Sequence, residues 1–182
     1  SRFLIASVTK QFTAACIMML VEEKNLCLED KLQVYLPEYV HSDKMTIHQM
    51  LNMMSGIPDM INDVIVAQLE TEVVPEDRTD KEQLIYEYNA MSRPFTLSEV
   101  LELVNDKELD FIPGEKIRYS NTNYSFLGFI IERLSGQSLD KFMTERLFSP
   151  LGMKHTACSP ETASCPGYER HDEIIYLGYG GD

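Results

Sequence analysis

Ten of the fourteen residues from Val8 to Val21 are apolar, a density that reads as a helix buried on nearly every side. A chain carrying such a segment must wrap other elements around it. With 182 residues, 44% of them hydrophobic, the sequence has enough material for one sizeable core and is expected to form a single domain. The longest unbroken apolar run, Ala14 to Val21, ends at Glu22 and Glu23 and is too short to span a bilayer.

The remaining pattern is mostly helical. Leu28, Leu32 and Leu36 fall at helical spacing, with Pro37 ending that turn. Thr46 is placed to cap a short helix through Ile47, Met50, Leu51 and Met54, stopped by Gly56 and Pro58. Between residues 57 and 95, nine acidic residues, Asp59 and Asp63 among them, face three basic ones. This stretch is expected to be an acidic surface insertion with helical pieces near 60–70 and 80–91, a solvated excursion or, less simply, a lid. "TLSE" at Thr96 to Glu99 is a capping box that opens a helix through Val104. A polar loop after Pro113 and Gly114 leads into a helix from about Thr122 to Leu134, closed by Gly136. Ser138 caps a last helix that ends near Phe148. Beyond Cys158 the tail reads as loop, except that "EIIYL" could begin a strand. The fold class as given is therefore mainly α.

Charge and ligand chemistry exclude several functions. A net charge of −13 without a basic cluster disfavours nucleic acid and anionic lipid as partners. Cys16, Cys27, Cys158 and Cys165 form no C-x-x-C pair and read as buried or free thiols. His41, His48, His155 and His171 lack ligand spacing, so neither a metal nor any other cofactor is expected.

The residues that suggest chemistry are Ser7 and Lys10. On one helix face, residues i and i+3 meet, so the Lys10 amine can reach the Ser7 hydroxyl at the first turn. A serine hydroxyl is a weak nucleophile until a neighbour takes its proton, and a helix N-terminus favours a developing oxyanion. With thirteen Ser and nine Lys, chance alone supplies about 0.6 S-x-x-K pairs, and Ser138 to Lys141 is one on a half-exposed helix, where the serine is an N-cap. Taken alone, Ser7 also reads as a cap. Its difference is the apolar "FLIA" before it and the apolar helix after it, which predict a dry, shielded pocket. Tyr119 and Asn121, one residue apart in a loop, suit proton shuttling and the holding of a substrate amide, although Tyr119 could be a half-buried strand residue, Asn121 a helix cap and Tyr124 core packing.

In order, Ser7-Val8-Thr9-Lys10 and Tyr119-Ser120-Asn121 resemble the first two motifs of the serine β-lactamase and penicillin-recognising family, in its class C β-lactamase, D-alanyl-D-alanine carboxypeptidase and esterase branch. The segments "IASVTKQFTAA", "LNMMSGIPD", "PGEKIRYSNTNYSFLGFIIERLSG" and "PLGMKHT" are similar to the same branch. The resemblance implies Ser7 as the acylated nucleophile, Lys10 and Tyr119 as the proton-transfer pair, and Asn121 as a substrate contact. It implies a serine hydrolase acting on a β-lactam, a D-amino-acid peptide or an ester. The other readings are a penicillin-binding or scaffold module without turnover, and an inactive fragment. Met53 and Met54 stand where the family usually has His-Thr, and the third motif, K-T-G or H-x-G, has no counterpart after Asn121. The expectation is thus one partial domain, the helical part of an α/β (α+β) enzyme lacking most of its sheet and prone to self-association through exposed apolar surface. By the same resemblance a bacterial periplasmic, cell-surface or secreted location is implied, with the cytoplasm left open.

Overall fold

The computed structural model describes residues 3, 5–75, 78–158, 167–171 and 174–178. A 3₁₀ turn at Ala6–Thr9 runs straight into helix α1, Lys10–Glu22. Then follow α2 (Ile47–Leu51), a π-helical turn at Met60–Ile65 continued by α3 (Val66–Thr71), α4 (Asp80–Ser92) and α5 (Leu97–Val104). Helices α6 (Asn121–Ser135) and α7 (Leu139–Met143) complete the bundle, α7 passing into a π-helical turn at Thr144–Phe148. Among the described residues the sheet consists of one antiparallel hairpin, β1 (Gly167–His171) paired with β2 (Ile174–Gly178).

Local chemistry explains most boundaries. Thr46, Thr79 and Thr96 each close a reciprocal capping box, with Gln49, Glu82 and Glu99, so the first orphan N–H groups of α2, α4 and α5 are met. The α6 helix ends where Gly136 turns to φ +68°, a left-handed conformation that glycine adopts without the clash of a Cβ. Ser138 accepts from the Lys141 backbone N–H and is an N-cap, as expected for the second S-x-x-K. In the core, Ile17 and Leu20 of α1 and Met50 of α2 join Val100 of α5 and Phe126 and Ile130 of α6 in one buried cluster.

Three expectations are corrected. Helix α1 is not buried all round: Thr13, Cys16, Ile17 and Leu20 face the core, while Met18 is 41% exposed. The leucines from Leu28 to Leu36 do not form a helix. Leu32 and Gln33 donate their backbone N–H groups to Met45 and Ser42, and Lys31 bridges Thr46, so only Leu32–Val34 closes a 3₁₀ turn. Leu32 and Leu36 are nonetheless fully buried, because the loop turns both inward. The tail is not all loop: Gly167–His171 pairs in register with the expected strand, His171 opposite Ile174. Cys16 is buried and free, Cys27 and Cys158 are exposed and free, and Cys165 lies outside the described residues.

Candidate active site

The helix pair α1 and α6 packs together, and each brings two functional groups to the contact. Ser7 sits in the 3₁₀ turn, directly after Ala6 at φ +43°, and Lys10 is the first residue of α1. The expected helical first turn is thus tighter than an α-turn, and the i, i+3 relation holds in it because side chains three apart eclipse in a 3₁₀ helix. Lys10 Nζ donates to Ser7 Oγ at 3.0 Å. Ser7 does not cap α1, since the cap position is Thr9 and carries no side-chain bond.

Tyr119 and Asn121 arrive from across the sequence. Tyr119 Oη lies 2.5 Å from Ser7 Oγ and donates to Asn121 Oδ1 at 3.2 Å. Lys10 Nζ also donates to Asn121 Oδ1, at 2.8 Å, and stands 4.8 Å from the centre of the Tyr119 ring. All four side chains singled out from the sequence are therefore joined by hydrogen bonds. Asn121 is the first helical residue of α6 rather than its cap, which is Ser120. Tyr124 packs against the core, donates to the Leu51 carbonyl and lies beneath Lys10, 5.8 Å from Nζ to ring centre. Burial raises its phenol above the usual value, with the Tyr119 charge acting in the same direction.

The site opens into a cleft of about 530 Å³. Ser7, Lys10 and Asn121 line it together with Met60, Arg93 and Phe95, so part of the acidic 57–95 segment contributes to the cleft. Ser7 is exposed, as are Phe3 at 67% and Ile5 at 41%, which corrects the expectation of a dry, shielded hydroxyl: Phe3 and Ile5 do not roof it.

The acidic segment holds a buried carboxylate that the sequence reading missed. Asp59, counted there among solvated charges, is 1% exposed. Its carboxylate accepts from Asn121 Nδ2 at 3.2 and 3.1 Å, from the Ile61 backbone N–H at 3.0 Å and from Asn62 Nδ2 at 2.6 Å. The loop Ser55–Met60 is tied to the start of α6 through Ser55, Pro58, Asp59 and Met60. Ser55 donates to Asn123 Oδ1, Thr122 Oγ1 donates to the Pro58 carbonyl and accepts from Met60 N–H, and Ser120 donates to that same carbonyl. Asn123 Nδ2 in turn reaches Met53 Sδ at 3.6 Å, so one of the two methionines that depart from the family pattern packs beside this seam. Arg118 bridges Asp63 and Asp110, and those two hydrogen bonds hold its guanidinium even more firmly charged than usual. The local signal for Asp59 in the sequence is its residue type at a helix start: it caps the turn Met60–Ile65, accepting from the Ile61 backbone N–H.

Comparison with known proteins relates the whole chain to one family. A family model described as Beta-lactamase matches residues 1–174. Protein flp of Staphylococcus aureus is 30% identical over 181 residues, 97% of this chain and 31% of that protein. A D-aminopeptidase of Brucella anthropi is 30% identical over 173 residues, 93% of this chain and 29% of that one. Among solved structures, a D-stereospecific amidohydrolase from a Streptomyces species superposes with a TM-score of 0.76 at 27% identity, covering 97% of this chain and 52% of that chain. The chain thus spans about a third of the length of the curated relatives it matches.

Proposed function

The chain belongs to the beta-lactamase family, and from that premise we propose that it carries the acylation centre of a serine hydrolase, with Ser7 as nucleophile and a D-amino-acid amide or peptide as substrate. The observation that supports this most directly is the contact of Ser7 Oγ with both Tyr119 Oη, at 2.5 Å, and Lys10 Nζ, at 3.0 Å. A nucleophile touching two groups able to move protons is what acyl transfer needs.

In the proposed reaction Ser7 Oγ bonds to the carbonyl carbon of the substrate while its proton passes to the Lys10–Tyr119 pair. The pair returns that proton to the leaving nitrogen as the C–N bond breaks, leaving an ester on Ser7. Water then attacks the ester, gives a proton back to the serine oxygen and releases the acid. Asn121, in the same cluster, contacts the substrate amide. The D-amino-acid preference is favoured by the D-aminopeptidase and D-stereospecific amidohydrolase relatives, and β-lactams and esters are the competing substrates.

The test is intact mass after incubation with a penicillin, with a fluorophosphonate and with D-phenylalanine amide, beside Ser7→Ala. An adduct present in the wild-type chain and lost in Ser7→Ala is the expected result, and turnover of the D-amide over its L-enantiomer assigns the substrate. A chain that no reagent labels at Ser7 would reject the acylation centre and favour a non-catalytic binding module.

A further inference from the structure

Asp59 makes no hydrogen bond to Ser7, yet its bonds to Asn121 decide which way that amide faces. A carboxylate can only accept hydrogen bonds, and only the NH₂ end of an amide can donate them. With Asn121 Nδ2 tied to both oxygens of Asp59, Oδ1 must face the other way, where it accepts from Lys10 Nζ at 2.8 Å and from Tyr119 Oη at 3.2 Å. The opposite orientation would set an NH₂ group against the Lys10 amine and leave Asp59 facing a carbonyl oxygen in a buried site. Four hydrogen bonds would be lost together, the two from Asn121 Nδ2 to Asp59 and the two that Oδ1 accepts from Lys10 and Tyr119, and like groups would face each other in their place.

We propose that Asp59 is a positioning residue: by locking the Asn121 amide with its oxygen toward the nucleophile, it anchors the Lys10 amine within reach of Ser7. The anchor is rigid because Asp59 is itself over-determined. Its side chain meets Ile61 N–H and Asn62 Nδ2, and its own backbone N–H donates to Asp63 Oδ2 at 2.8 Å. The inference rests on the reading of Ser7 as nucleophile and adds to it a reason why Lys10, on a flexible four-carbon stem, stays at the serine.

An Asn at position 59 has a single acceptor oxygen and an NH₂ group in place of the other. At most one of the two Asn121 bonds then survives, so the Asn121 amide is no longer held with its oxygen toward Lys10, and a flip that offers that oxygen to the new NH₂ competes. The reciprocal exchange, Asp59→Asn with Asn121→Asp, restores an acceptor facing Lys10, since a carboxylate has oxygens on both sides. The experiment measures the rate of Ser7 labelling by a fluorophosphonate, separating the probe's binding constant from the bond-forming step. Asp59→Asn is expected to slow the bond-forming step about tenfold or more at unchanged probe binding, the scale of a misplaced catalytic group. The reciprocal variant is expected to recover most of that loss, which repair of a merely collapsed loop would not do. Asn121→Ala, which leaves Asp59 and its turn in place, is expected to show the same slowing. An unchanged rate in Asn121→Ala overturns the proposal whether or not Asp59→Asn folds, and so does an Asp59→Asn loss that the reciprocal exchange leaves untouched. The reactivity of the Lys10 amine toward reductive methylation is read in parallel by peptide mass. It is expected to rise in Asp59→Asn and Asn121→Ala as the anchor is lost, and equal reactivity in all variants overturns the proposal. Absence of Ser7 labelling in the wild-type chain would reject the nucleophile reading alone, and the Lys10 measurement would still decide the role of Asp59.

Discussion

Replacing Gly56 by Ala isolates the tightest backbone contact behind the site. Gly56 has φ +75°, and a Cβ built there would lie 2.3 Å from the Phe111 carbonyl oxygen and 3.3 Å from its carbonyl carbon, both backbone atoms. The left-handed conformation alone costs an alanine about 1 kcal/mol. The clash must be relieved by moving the 110–111 backbone, which breaks or strains the Asp110 N–H to Gly56 carbonyl bond of 2.8 Å, worth about 1 kcal/mol net. Overpacking a site that cannot give adds at least about 1 kcal/mol. The expected loss is therefore about 3 kcal/mol, or about 6–12 °C in melting temperature for a chain of this size. Gly136→Ala is the control, because Gly136 has φ +68° and no neighbour within 4 Å of its would-be Cβ, so it carries the conformational penalty alone, about 1 kcal/mol. Urea unfolding of both variants, compared at equal slope, gives the difference directly. If the two variants lose the same stability, the close approach of Phe111 contributes nothing and the reasoning is wrong.

Other outcomes are equally specific. Ser138→Ala removes the cap bond to Lys141 N–H and is expected to lower stability by about 1 kcal/mol while leaving Ser7 labelling untouched, measured by thermal melting and intact mass. Arg133 hydrogen bonds hold the Glu38 carboxyl below its usual range, so the stability this pair adds is present above the unfolded-state value and is lost as pH falls through the lowered folded value. Glu38→Gln should flatten that part of the acid limb of melting temperature against pH, by a small amount because both side chains are about two-fifths exposed. With a thiol-reactive disulfide at neutral pH, exposed Cys27 should react first, while Cys16, fully buried and pushed up by that burial to about 11, should react only on unfolding.

Much of this architecture was legible because its signals are local. Thr96 and Glu99 sit three residues apart and need nothing else to start α5, and Gly136 stops α6 by its own backbone freedom. Helical periodicity failed at Leu28 to Leu36, where backbone bonds to Ser42 and Met45 outweighed the spacing of three leucines. Ser7, Lys10, Tyr119 and Asn121 were found through two short motifs and their order, and the structure places them within hydrogen-bond distance of one another across 112 residues of sequence. Asp59 was missed for the opposite reason. Its burial is produced by Asn121, more than sixty residues away, and a charge run read along the chain looks solvated whatever folds over it.

The division of the cluster between two helices makes its hydrogen bonds a gauge of helix spacing. Ser7 lies in the turn that enters α1 and Lys10 begins that helix, while Tyr119 precedes α6 and Asn121 begins it, so the packing of the two helices helps set the gap. Cys16, Ile17 and Ile130 touch no reacting atom, yet a change of one methylene among them that shifts α1 by half an ångström would lengthen the 2.5 Å contact between Ser7 and Tyr119 by a similar amount. Under the proposed role of Ser7, drift in such interior positions is constrained by acylation before it is constrained by folding.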